Sequence, residues 1–133
     1  MKDKNIKKIV KEGYAKVAKQ SVSCCPTSSC CGSSNQAKSI SKTVGYSDAD
    51  VNTVPEGANL GLGCGNPVAI ASLKEGDVVL DLGSGAGFDA FLASPKVGKT
   101  GRIIGVDMTP EMIEKARENA KRGNYKNVEF RLA

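Results

Sequence analysis

An unbroken apolar run ends in an acid and then turns through three glycines: Val78-Val79-Leu80-Asp81-Leu82-Gly83-Ser84-Gly85-Ala86-Gly87. Such a run requires a buried strand followed by a tight turn into a helix that starts near Phe88. Glycines let a backbone come close to a ligand, and a helix N-terminus attracts negative charge. The turn therefore reads as a binding loop for a nucleoside-bearing ligand. Its spacing is Gly83-x-Gly85-x-Gly87. A dinucleotide fingerprint needs Gly-x-Gly-x-x-Gly, which would put its last glycine at Phe88. The loop leans to S-adenosyl-L-methionine over NAD.

Regular signals surround the loop. Asn66 caps a helix with Pro67 at its first position, running to about Leu73 and stopping by Gly76. The strand Val78–Leu82 is expected to be covered on both faces. A helix follows over residues 88–94, then a strand over 102–106. Thr109-Pro110 opens a helix that places Met112, Ile113, Ala116 and Ala120 on one side and ends at Lys121-Arg122-Gly123. Val128–Leu132 alternates, as a half-exposed edge strand does. Strand, helix, strand, helix, strand is the N-terminal half of a doubly wound parallel α/β sheet. Right-handed crossovers give it the order 3-2-1. The far edge of Val78–Leu82 is left without a neighbour and invites self-association.

The first half of the chain is of another kind. Residues 1–20 read as an amphipathic leader helix, with Ile6, Ile9, Val10, Tyr14 and Val17 at helical spacing. Residues 21–65 read as a linker and substrate loop rich in Cys, Gly and Ser, with 20–43 irregular and 48–65 a partly ordered connection. Residues 66–133 form the partial cofactor-binding domain. The net charge of +5 does not point to nucleic acid. Residues 1–40 hold eight lysines against two acids, whereas the remainder holds 11 basic against 12 acidic residues. The excess belongs to the leader's solvated face, and with no Trp there is little for bases to stack on. No segment approaches membrane-spanning length, and residues 1–20 lack the apolar core of a secretory signal. Five cysteines without histidine fit a reducing cytoplasm, with thiols free or bound to a soft ion.

S-adenosyl-L-methionine carries a zwitterionic amino-acid end, a sulfonium and an adenosine, so its pocket needs carboxylates and backbone amides. Asp81, at the strand's end, suits the ammonium. Gly83, Ser84 and Gly85 form the turn, and Gly87 lets the helix pack closely. Asp107 ends the second strand 24 residues after Gly83 and suits the ribose hydroxyls. Met108 packs on adenine or serves ordinary loop packing. Cys24-Cys25 and Cys30-Cys31 are adjacent pairs, less typical of zinc than Cys-x-x-Cys. Adjacent thiolates suit a thiophilic ion, and flexible cysteines without a ligand remain the alternative. Cys64 is sterically open between Gly63 and Gly65.

Together these residues resemble the N-terminal part of an arsenite S-adenosylmethionine methyltransferase. Gly13-Tyr14-Ala15, Ser23-Cys24-Cys25, Cys30-Cys31-Gly32 and the stretch from Pro55 through Gly61-Leu62-Gly63-Cys64-Gly65 to Pro67 carry the resemblance. So do residues 79–91 and Gly105-Val106-Asp107-Met108-Thr109-Pro110. The resemblance implies a Rossmann-like fold and trivalent arsenic held by thiolates beside the sulfonium. Cys64 matches an arsenic-binding cysteine of the family, and Cys24 or Cys25 exchanges with it. Arsenic's lone pair attacks the methyl carbon, so no proton need be removed and the lack of histidine is no objection. The family's further arsenic-binding cysteines and an acidic contact to adenine fall beyond Ala133, so turnover by the isolated chain is not expected. Two alternatives stand beside this reading: a cytosolic thiol module that binds arsenite or another soft ion, and a methyltransferase for a small organic acceptor.

Overall fold

The computed structural model describes residues 2–20, 33–62, 65–67 and 71–133. Three parallel strands, β1 (Val78–Leu82), β2 (Arg102–Asp107) and β3 (Val128–Leu132), form one sheet in the order β1-β2-β3. The connecting helices are α4 (Phe88–Val97) and α5 (Pro110–Arg122). Ahead of them come α1 (Lys2–Gln20), α2 (Ser33–Thr43) and α3 (Asp48–Thr53).

Both crossovers step along the sheet in one direction, so right-handed connections put α4 and α5 on the same face. Under them lies the core of Phe91, Val97, Ile103, Ile113, Ala116 and Phe130, with Tyr46, Val51 and Ala58 brought in from the first half. The helix α5 buries the four apolar residues that its spacing selects, together with Asn119. β3 buries Phe130 and exposes Arg131, as its alternation requires.

Five expectations are corrected. β1 is covered on one face only: Val78, Leu80 and Leu82 are 71, 59 and 74 % exposed. The two helices occupy the other face. α4 does not stop before Pro95 but continues to Val97. Pro95 lies in its last turn, and fully buried Val97 anchors that turn before Gly98 leaves the helix at φ 68°. α1 forms, but Ala15 and Ala18 are its buried residues, packed towards α5, while Ile6, Ile9, Val10 and Tyr14 stay exposed. Lys115 donates to the Ala18 carbonyl at 3.2 Å, and Lys19 pairs with Glu111 at 3.4 Å, which fixes the C-terminal end of α1.

The fourth correction concerns the linker, which contains α2 and α3. Packing overrides the weak helix propensity of α2's serines and threonine. Ala37 lies against Gly61, and buried Ser41 bonds Asn59. A capping box starts α3: the Ser47 hydroxyl accepts from the Asp50 N–H, and Asp50 accepts from the Ser47 N–H. A fifth concerns the helix expected over residues 66–73. Residues 68–70 lie outside the described residues, Pro67 is helical and accepts from the Ala71 N–H, and residues 71–73 are not helical, so the helix does not run to Leu73.

Candidate functional site

β1 delivers the chain to the glycine loop at the C-terminal end of the sheet, where ligands of doubly wound folds collect. Gly83, Gly85 and Gly87 have φ of 73°, 53° and 97°, a region that side-chain-bearing residues avoid. Their surroundings differ. A Cβ on Gly83 or Gly85 would meet nothing within 4 Å, so the loop's outer side is open. A Cβ on Gly87 would lie 2.7 Å from both Phe130 and Phe91, so this glycine lets α4 close on the sheet. Gly105 does the same beneath the loop, where a Cβ would crowd Phe130 and Ser84.

Asp107 holds the loop. Its Oδ2 accepts from the Gly85 N–H at 3.0 Å and its Oδ1 from the Thr109 N–H at 2.8 Å, which also starts α5. From α5, buried Asn119 donates to the Ala86 carbonyl at 3.2 Å. Gly83 and Ser84 donate to the Val106 carbonyl. The turn is thus fixed from both neighbouring elements. Met108 stands exposed; its helical neighbour Met112 lines the cavity instead.

Three acids gather here. Burial, and then the charges of Asp89 and Asp107, push the Asp81 carboxyl up to about 6, and its Oδ2 is buried without a partner. Burial also raises Asp89, against the Tyr46 phenol, which donates to Asp89 Oδ1 at 2.6 Å. Burial and that bond hold the phenol well above its ordinary value. The Tyr46 ring meets Phe88 edge-on, with centroids 4.7 Å apart, so the α2–α3 turn is pinned to the start of α4.

A cavity of about 90 Å³ lies beside the loop, lined by Gly83, Ser84, Gly85 and Asp89 on one side and by Asn59, Gly61 and Leu62 on the other. Two more buried polar atoms, Ser84 Oγ and Asn59 Nδ2, have no partner. Leaving a buried donor unpaired costs about 1–3 kcal/mol. The cluster therefore suits a ligand with both hydrogen-bond donors and acceptors. The site thus brings together Asp81, Gly83, Ser84, Gly85, Gly87 and Asp107. Cys24, Cys25, Cys30, Cys31 and Cys64 lie outside the described residues. Both flanks of Cys64 are held, Gly61 by Asn59 Oδ1 and Asn66 by donation to the Gly45 carbonyl.

Sequence reasoning missed Asn59, Asp89 and Tyr46. Their pairings span 18 and 43 residues, and no local spacing announces them.

Comparison with known proteins bears on the fold and the family. Residues 73–133 match a methyltransferase domain family. The chain is 51 % identical to an arsenite methyltransferase of Halobacterium salinarum, over 95 % of this chain and 34 % of that protein. It is 34 % identical to an arsenite methyltransferase of Aquipseudomonas alcaligenes, over 92 % of this chain and 34 % of that protein. It thus spans about a third of the length of these relatives. A solved protein-L-isoaspartate O-methyltransferase superposes with TM-score 0.50 at 22 % identity, over 75 % of this chain and 42 % of that one, and shares the fold. The fold is thus Rossmann-like α/β, residues 73–133 are similar to a methyltransferase domain, and over nearly its whole length the sequence is similar to arsenite methyltransferases.

Proposed function

We propose that this chain binds S-adenosyl-L-methionine at the glycine loop and belongs to an enzyme that methylates arsenite held by cysteine thiolates. One observation carries the reading. The segment that runs into Cys64, residues 59–62, lines the same cavity as Gly83, Ser84 and Gly85. The cofactor loop and the segment that leads toward the candidate substrate cysteine are thus neighbours in the fold.

When bound, the cofactor supplies an electrophilic methyl group on a sulfonium. The residues here bind and orient. Asp81 faces the cationic ammonium, and Asp107, fixed by two backbone N–H groups, keeps lone pairs for ribose hydroxyls. The open sides of Gly83 and Gly85 admit the ligand. Cys64, with Cys24 or Cys25, supplies thiolates for trivalent arsenic, a soft ion that prefers sulfur. Holding acceptor and donor in line accounts for much of the rate, since the arsenic lone pair needs no general base. Five cysteines without histidine suit a reducing cytoplasm. The outer edge of β1, which pairs with no strand among the described residues, associates with a second copy.

Calorimetric titration of the chain with S-adenosylhomocysteine and with NAD tests the cofactor. Saturable binding of the first alone supports the reading, and equal affinity overturns it. Arsenite binding that Cys64→Ser weakens supports the acceptor. Arsenite binding unaffected by that change, but lost when Cys24, Cys25, Cys30 and Cys31 become Ser, would instead favour a thiol module without catalysis.

A further inference from the structure

The side-chain amide of Asn59 is oriented by its neighbours. A backbone N–H can only donate, so the amide atom 3.0 Å from the Gly61 nitrogen must be the oxygen. The Ser41 hydroxyl donates to the same oxygen at 2.9 Å. The NH2 group is thereby aimed elsewhere, and it is buried without a partner. Ser84 Oγ is in the same condition. Both residues line the cavity beside the loop. Buried polar groups in folded proteins are almost always paired, so two unpaired ones at one cavity mark the place of a partner still to arrive.

The chemistry narrows that partner. Asn59 Nδ2 is donor-only, and the Ser84 hydroxyl can also donate. Among the described residues no cationic side chain lines the cavity, and the one charged residue there is Asp89, whose Oδ1 accepts from Tyr46. Neutral donors next to an acid match a group with an anion and a cation on one carbon, which is the head of an α-amino acid. Among the parts of the proposed cofactor only its methionine end has this character. Its ammonium suits the acids Asp81 and Asp89, and its carboxylate requires the donors.

We propose that Asn59, with Ser84, forms the subsite for the carboxylate of the ligand's amino-acid end. The residue thus ties recognition of the cofactor to the segment that leads into Cys64. This rests on the S-adenosyl-L-methionine reading above. Ser41 acts on it from a distance, as a positioning residue that holds the amide oxygen.

Asn59→Asp tests the assignment, because it keeps the oxygen that accepts from Gly61 and Ser41 and replaces the NH2 with a second, anionic oxygen. Wild type and variant are titrated calorimetrically with S-adenosylhomocysteine and with methylthioadenosine, which lacks the amino-acid end. The variant should bind S-adenosylhomocysteine about 30-fold more weakly and methylthioadenosine within about twofold of wild type. Equal loss for both ligands, or loss for neither, overturns the assignment and leaves the cofactor reading intact. Failure of the wild type to bind either ligand overturns the cofactor reading itself. Should Asn59→Asp not fold, as judged by its amide spectrum, Asn59→Ser is measured in its place. Decarboxylated S-adenosylhomocysteine provides a check on wild type alone: it should bind about 10-fold more weakly than the parent, and equal affinity overturns the assignment.

Discussion

On one face of the sheet Val79, Ile103, Val128 and Phe130 lie under α4 and α5, while on the other Val78, Leu80 and Leu82 are open to solvent. The register puts Leu80 beside Ile104 and Glu129, and Leu82 beside Val106 and Arg131, so the open face is an aliphatic strip with a charged margin. Arg102 and Arg131 both pair with Glu129 along that margin. The strands have similar apolar content on both faces. The difference comes from chain direction, because two right-handed crossovers in succession lay both helices on one side. Asp81, Gly105 and Phe130 share the covered face, and Gly87 closes on it. Hence the helices that build the core also close the candidate site.

The largest expected difference between the faces is in packing. Phe91→Ala, at a fully buried ring, should destabilise by about 3–5 kcal/mol, whereas Leu80→Ala should shift the denaturant midpoint little. A large loss at Leu80 would mean that the open face is covered in solution, and sedimentation at two concentrations would show whether a second copy covers it.

The glycines sharpen the comparison next. Gly87→Ala sets a Cβ 2.7 Å from Phe130 and Phe91 at φ 97° and should cost about 2–4 kcal/mol. Gly83→Ala has free space and should cost only the backbone strain, about 1 kcal/mol. Thermal unfolding of the two variants checks the order.

Asp81 gives a smaller effect with a defined sign. Its carboxyl is raised to about 6 in the folded chain from an ordinary 3.8, so the native state prefers the protonated form. Its contribution is full below about pH 4 and is lost as pH rises through about 6. Asp81→Asn should therefore stabilise the chain by about 1–3 kcal/mol at pH 8 and flatten the stability profile between pH 4 and 6. The same variant should weaken S-adenosylhomocysteine binding. In wild type, a cationic ligand favours the ionised carboxylate, so binding near pH 6 should release a proton, seen as a buffer-dependent heat. Smallest of all, Glu129→Gln on the open face should leave the midpoint unchanged, since the pair is largely solvated.

The half of the chain from β1 onward was legible because its patterns are long and punctuated. The apolar strand, the glycines, Thr109-Pro110 and the stripe on α5 each have one local meaning. α2 and α3 were obscure because short polar helices depend on packing. Even so, Ser47-x-x-Asp50 is a capping signal that could have located α3. At the site, Asp81, the loop glycines and Asp107 follow from position along the chain. Asn59 could not be read the same way, since what distinguishes it is an unpaired NH2 left by contacts to Ser41 and Gly61. Exposure of β1's outer face depends likewise on the handedness of two connections, which a single strand's sequence does not encode.

The most direct test is to titrate the chain with S-adenosylhomocysteine while following its backbone amide signals. Saturable shifts at Gly83, Ser84, Gly85 and Asp107, with Val78 and Leu80 unmoved, are the predicted result. Absence of shifts at the loop, or the same shifts with NAD, would contradict the account.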